Sequence, residues 1–195
     1  TKGRSVEKMK TVQDEATIEA AAQAIGPMDL TIIATGMLHQ ATIQPEKSLR
    51  ALSTDAFEQA FAINTIGPAL IGKHMLPHLP KDRRSVFAVL SARVGSISDN
   101  RLGGWHAYRA SKAALNMTVR NFAIEMARTH PQAIIVALHP GTVDTELSQP
   151  FQRGVAPEKL FTTDYAAERM LQVLGGLTPE DSGQLFAWDG ARIPF

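Results

Sequence analysis

Short apolar runs rich in β-branched residues alternate along this chain with longer stretches of helical periodicity, and few folds accommodate that order. Parallel strands cannot be joined by a tight hairpin; each pair needs a crossover, usually a helix. The pattern therefore predicts an α/β domain with a parallel sheet. A first helix runs from Asp14-Glu15 to Ile25, opened by an acidic cap and stopped by Gly26-Pro27. Asp29-Leu30-Thr31-Ile32-Ile33-Ala34 follows as a buried strand ending at Gly36. Ser53-Thr54-Asp55 caps one long helix that carries Phe57, Phe61, Leu70 and Met75 and ends before Pro80. Next come strand Val86-Phe87-Ala88-Val89-Leu90, a loop through Gly95, Gly103 and Gly104, and a helix from about Trp105 to Thr129. Strand Ile134-Ile135-Val136-Ala137-Leu138 ends in His139-Pro140-Gly141. The polar stretch Thr142 to Thr162 is long for a plain connection and is expected to carry ligand contacts. A helix from Asp164 to about Leu174 and a strand near Gln184-Leu185-Phe186-Ala187 close the pattern.

The 195 residues suit one domain with a sizeable core. A net charge of +1 and a 44% hydrophobic share predict no nucleic-acid stripe, no basic membrane-binding face and no disordered tail. No apolar run approaches the roughly 20 residues a bilayer span needs, and Thr1-Lys2-Gly3-Arg4 lacks a signal-peptide core, so cytoplasm is the expected location. With no cysteine, disulfides, thiolate metal sites and a Cys nucleophile are excluded. Of the six histidines, His74 and His78 alone have an i, i+4 spacing that could grip a metal; no nearby acidic residue completes it, and no metal site is expected.

In open parallel sheets the ligand crevice lies beyond the carboxyl ends of the strands. Gly36, the Ser91 region and Pro140-Gly141 each fall just past such an end. Tyr108 and Lys112, in Tyr108-Arg109-Ala110-Ser111-Lys112, stand four residues apart on a helix and share one face. An ammonium beside a phenol favours the phenolate, so the spacing predicts a Tyr108 pKa below its ordinary value and an acid/base role. Ser111 is read as packing only.

Five segments carry a resemblance: Ile63-Asn64-Thr65-Ile66-Gly67-Pro68, Leu90-Ser91-Ala92-Arg93-Val94-Gly95-Ser96-Ile97, Tyr108 to Asn116, His139-Pro140-Gly141-Thr142-Val143-Asp144-Thr145, and Trp188-Asp189-Gly190. In order and spacing the chain resembles the short-chain dehydrogenase/reductase family, most closely its small carbonyl-reductase branch with the C-factor and sniffer-type proteins. The resemblance implies a single NAD(P)-binding domain, a Rossmann-like doubly wound parallel sheet in three αβα layers. It implies a carbonyl–alcohol oxidoreductase acting on a small molecule, with NADP preferred to NAD by family branch. Tyr108 would exchange a proton with the substrate oxygen, Lys112 would tune it and bond the nicotinamide ribose, and Asn64 would hold a water linking Lys112 to solvent. Pro140, Gly141, Val143 and Thr145 would pack on the nicotinamide, and Gly36 would allow close approach on the adenosine side. The long helices at 54–79 and 105–129 would pair in a homodimer or homotetramer.

Three departures qualify that picture. The family's phosphate-binding Gly-rich turn, between the first strand and first helix, is absent, so the N-terminal strand-helix unit is expected to precede the numbered chain. The family's catalytic Ser position holds Ala92, leaving Ser91 and Ser96 as candidates to polarise the carbonyl, Ser91 ahead; loss of one such donor is worth about 2.7 to 4 kcal/mol. Finally, the family's Asn-Asn-Ala-Gly reads Ile33-Ala34-Thr35-Gly36, and Thr11 stands where an Asp often meets adenine. Ala92 and the altered Gly36 segment also support an alternative, a catalytically silent relative used for signalling or partner binding.

Overall fold

A computed structural model describes residues 14–40 and 42–195, so Thr11 lies outside the described residues. The first helix, α1 (Glu15–Ile25), is capped by Asp14, whose carboxylate accepts the Thr17 N–H, and it stops at Gly26. Strand β1 (Leu30–Ile33) follows. The stretch read as one helix over 54–79 is divided. Ser53 caps α2 (Thr54–Phe61), a π-helical turn spans Ala62–Ile66, and α3 (Gly67–Met75) runs into a 3-10 turn at Leu76–His78. Apolar periodicity runs through the insertion, which is why the pattern alone reads as continuous; π turns inside helices often mark functional sites.

Strand β2 (Ser85–Leu90), helix α4 (His106–Met126) and strand β3 (Ala133–His139) form the centre. Short strands β4 (Thr142–Val143) and β5 (Leu160–Phe161) pair in parallel. Helix α5 (Thr163–Gly176) is followed by β6 (Leu185–Ala187) and β7 (Arg192–Ile193). The main sheet has the order β1-β2-β3-β6-β7, parallel except for β7, which returns antiparallel on β6. That last strand is too short for any periodicity to announce it.

The sheet is covered on both faces, which explains strands that read as unbroken apolar runs. On one side Phe87, Val89, Ile135 and Leu185 pack against Ala22 of α1, Met75 of α3 and Leu115, Val119 and Ala123 of α4. On the other, Val86, Ala88, Ile134, Val136 and Phe186 meet Leu174 of α5. The result is the expected three-layer αβα, doubly wound sheet. At the β1 edge Leu30 and Ile32 are exposed.

His74 does not pair with His78. Its Nε2 lies 2.9 Å from Glu15 Oε1, which also receives Lys73, so the two residues tie α3 to α1. Among the described residues no group of three or more His, Cys, Asp or Glu side chains could hold a metal, and no helix is long and apolar enough to cross a membrane.

The stretch 142–162, expected as a loop, is built from the β4–β5 pair and 3-10 turns at Gln149–Gly154 and Pro157–Lys159. Its entry is Gly141, with φ +80°, where a Cβ would fall 2.5 Å from a ring carbon of Phe161 and 3.0 Å from Cδ1 of Trp188. Phe161 cannot yield easily, because its ring lies 4.6 Å from that of Trp188 and 4.9 Å from that of Tyr165. Gly141→Ala therefore combines a left-handed backbone with a clash, and is expected to cost roughly 2 kcal/mol or more in urea unfolding. A neutral or stabilising result would show that the turn relaxes freely.

Candidate active site

A cleft of about 640 Å³ opens past the carboxyl ends of β1, β2 and β3, where an open parallel sheet offers a crevice. Its floor comes from three strand ends: Ala34 to Gly36, Leu90 to Val94, and His139 to Val143. Its wall is the first turns of α4. That helix starts abruptly. Gly103, Gly104 and Trp105 are consecutive left-handed residues, with φ of +63°, +64° and +50°. The strained Trp105 is held because its N–H donates to the Glu46 carbonyl, and the buried Glu46 carboxylate accepts the Ala107 N–H at 3.2 Å. Arg109 Nε donates to the carbonyls of Gly103 and Gly104 at 3.1 and 3.0 Å. An acidic cap at a helix N-terminus also suits the helix dipole.

Tyr108 and Lys112 face the cleft together, with Nζ 5.9 Å from the centre of the phenol ring. Lys112 is 3% exposed and donates to the Leu90 carbonyl at 2.9 Å. Burial pulls its pKa down to about 8. Burial likewise pushes Tyr108 up to about 12, the reverse of the shift read from the Tyr/Lys spacing. Desolvation of the phenol outweighs an ammonium whose hydrogen bond goes to Leu90.

Asn64 sits in the π turn and is fully buried. Its Oδ1 accepts the Met37 N–H at 2.7 Å, and its Nδ2 donates to the Met37 carbonyl at 2.8 Å and to Ser111 Oγ at 3.0 Å. Ser111 Oγ donates to the Tyr108 carbonyl at 2.8 Å. A chain of bonds thus connects the segment after β1 to the helix turn bearing the phenol, and Ser111, read from sequence as packing, is one of its links. Gly36 lies against the same group: a Cβ there would be 3.6 Å from Lys112 Nζ and 3.8 Å from Asn64 Oδ1.

The two serines are occupied elsewhere. Ser91 is at the cleft, but its hydroxyl donates to Asn116 Oδ1 at 2.7 Å. In this arrangement its single proton points to Asn116 and away from the phenol. Ser96 Oγ donates to the Pro194 carbonyl and does not line the cleft. Pro140, Gly141, Val143 and Thr145 all do. So do Thr35 and His139, whose buried Oγ1 and Nδ1 have no protein hydrogen-bond partner. Burial, then the charge of Arg93, lowers the pKa of His139 to about 4, so this imidazole is neutral at pH 7.

Sequence reasoning missed Glu46, which lies in a loop with no periodicity to mark it. It also missed the aromatic wall in which Trp105 meets Phe151 with ring centroids 5.0 Å apart and Tyr108 at 6.3 Å. Phe151 comes from the long 142–162 stretch, where ligand contacts were expected.

The model of the short chain dehydrogenase family matches residues 5–156. The C-signal of Myxococcus xanthus is 37% identical over 138 residues, covering 70% of this chain and 77% of that protein. The 1-hydroxy-2-glutathionyl-2-methyl-3-butene dehydrogenase of Rhodococcus sp. (strain AD45) is 30% identical over 191 residues, 98% of this chain and 80% of its own. Among solved structures, the NADPH-bound carbonyl reductase from chicken fatty liver superposes with a TM-score of 0.80 at 27% identity, covering 94% of this chain and 75% of that one. A family match over three quarters of the sequence, on a doubly wound sheet with Tyr108 and Lys112 at its crevice, means that this chain is an oxidoreductase belonging to the short-chain dehydrogenase family.

Proposed function

We propose that the protein is an NADP(H)-dependent reductase interconverting a carbonyl and an alcohol on a small molecule, with Tyr108 as the proton donor or acceptor. The observation that carries this reading is the joint position of the Tyr108 phenol and the buried Lys112 ammonium on one cleft at the strand ends. The residues suit a nicotinamide: Thr35 Oγ1 and His139 Nδ1 are buried polar atoms of the cleft without a protein partner, and the Gly36 and Gly141 backbones line it without side chains. Gly36, Lys112, Pro140, Gly141, Val143 and Thr145 would hold it, with Asn64 acting from behind through Met37 and Ser111. The choice of NADP(H) follows the NADPH-bound chicken carbonyl reductase. When bound, the nicotinamide supplies or accepts the hydride.

The rest is done by side chains. With its pKa pushed up to about 12, Tyr108 keeps its proton at pH 7 and starts in the state that carbonyl reduction requires. As the proton leaves, the developing phenolate lies beside the Lys112 charge, which favours it. Asn64 and Ser111 fix the helix turn from which the phenol projects. Part of the same proposal is a homodimer or homotetramer, supported by Met117 and Ile124, apolar residues exposed seven apart on α4.

A second reading, a silent relative with a signalling role, is favoured by Ala92 and by the committed proton of Ser91, and is in line with the likeness to C-signal. The two separate when NADPH and NADH oxidation is followed with aldehydes, ketones and quinones. Tyr108→Phe is expected to lower turnover by about 10²- to 10⁴-fold with NADPH affinity unchanged. Undiminished turnover would remove the phenol from the mechanism, and NADPH binding without turnover of any substrate would favour the silent relative.

Lys112 also makes a thermodynamic prediction. Its pKa is about 8 folded, against an ordinary value of 10.5, so between those values the unfolded chain binds more protons and stability rises with pH. Below pH 8 the buried charge costs about 3 kcal/mol, offset in part by the Leu90 hydrogen bond. Lys112→Met is therefore expected to be inactive yet about 1 to 2 kcal/mol more stable than wild type at pH 7, with the gain lost at about pH 9 and reversed by about pH 10.5, where the neutral amine keeps the Leu90 hydrogen bond that Met lacks. Urea unfolding of both proteins from pH 6 to 10.5 reads this directly; a pH-independent difference would refute the shift.

A further inference from the structure

Four titratable side chains line the cleft, Arg93, Tyr108, Lys112 and His139, and no Asp or Glu is among its lining residues. At pH 7 the phenol and the imidazole are neutral. Lys112 is buried and bound to Leu90. That leaves Arg93 as the cation at the mouth. It stands next to Ala92, the position that carries no hydroxyl, on the 3-10 turn Arg93–Gly95 that follows β2. The turn is seated: a Cβ on Gly95 would lie 2.8 Å from Lys112 Cβ and 2.9 Å from its carbonyl carbon, so turn and α4 are in direct contact.

The guanidinium is underused. Nη1 donates to Asp99 Oδ2 at 3.0 Å, an ion pair whose side chains are 50% and 40% exposed, and Asp99 does not line the cleft. Exposed pairs of this kind contribute little, so a second carboxylate can compete for or share the fork. Nε and Nη2 remain for it, in the planar arrangement that suits a carboxylate. The charge also reaches inward, since Arg93 is one cause of the lowered His139 pKa. Trp105 and Phe151, both lining the cleft and 5.0 Å apart, supply an apolar wall for a flat carbon skeleton.

We infer that Arg93 is a specificity residue that selects carbonyl substrates bearing a carboxylate on an apolar, planar body. This rests on the reductase reading above and names its substrate class.

The probes are 4-carboxybenzaldehyde and its neutral counterpart 4-methylbenzaldehyde, each with NADPH. Wild type is expected to prefer the carboxylate in kcat/KM by about ten- to hundredfold. Arg93→Gln should bring the ratio to about one through the KM of the carboxylate substrate alone, and Arg93→Lys should recover part of it. No preference in wild type, or an equal loss on both aldehydes in Arg93→Gln, would overturn the inference and leave the reductase reading standing. If neither aldehyde nor any other carbonyl is turned over, binding decides. Quenching of bound NADPH fluorescence by 4-carboxybenzaldehyde that disappears in Arg93→Gln would keep the anion site and discard the reductase. Absence of quenching would discard both.

Discussion

Lys112 places a charge where the fold leaves it almost no contact with water, and the arrangement of the cleft depends on how that charge is accommodated. Its ammonium donates to the carbonyl of Leu90, the last residue of β2, which fastens α4 to the end of a central strand. Close approach of the following turn is possible because Gly95 presents no Cβ to the Lys112 backbone. The bond offsets only part of the desolvation, as the pKa drawn down to about 8 records. Sheet, turn and helix are thus joined at a group that stability alone would not select. Stored cost of this kind is usual at functional sites.

The phenol is located by a second set of bonds, independent of the first. Asn64 satisfies both backbone groups of Met37 and passes a hydrogen bond through Ser111 to the Tyr108 carbonyl. An asparagine side chain with one acceptor and two donors is suited to this; an aspartate would lack the donors. The π turn matters here, since it places Asn64 at full burial between α2 and α3 rather than on a regular helical stripe. On the far side, the Glu46 carboxylate fixes the first turn of α4. Tyr108 is therefore restrained from below by Asn64 and Ser111, and at the helix start by Glu46 and Trp105.

The sheet was legible in the sequence because buried parallel strands leave continuous apolar runs, and Asp14 and Ser53 mark helix starts by local capping chemistry. Family spacing located Tyr108, Lys112, Asn64 and Gly36, which the structure brings to one place. What was not legible depends on contacts distant in sequence. The break at residues 62–66 keeps an apolar pattern that also fits a straight helix. Glu46 becomes a helix cap only through a partner 61 residues away. The sign of the Tyr108 shift required knowing how much water the fold removes from the phenol, whereas spacing reported only the neighbouring ammonium. The partner of the Ser91 hydroxyl was hidden for a similar reason: it is Asn116, a full helix turn beyond Lys112.

Ala92 changes how this cleft can stabilise negative charge on a carbonyl oxygen. With the Ser91 proton given to Asn116, Tyr108 stands without a neighbouring hydroxyl to share the load. A neutral hydroxyl acts over hydrogen-bond distance and must be aimed, but a cation acts through a potential that falls only as the inverse of distance. Two cations and no carboxylate line this cleft. Lys112 Nζ lies 5.9 Å from the centre of the phenol ring, and Arg93 sits in the turn immediately after the altered position. Where solvent fills the cleft, the high dielectric weakens the Lys112 field at the phenol; in the proposed reaction a flat apolar substrate against Trp105 and Phe151 would displace that water and strengthen it, while Arg93 is left to the substrate's own charge. In the proposed reaction, the lack of a hydroxyl at position 92 would make carbonyl reduction depend on how well the substrate excludes water, and an anionic group on that substrate would anchor it to Arg93 and orient its carbonyl toward the phenol.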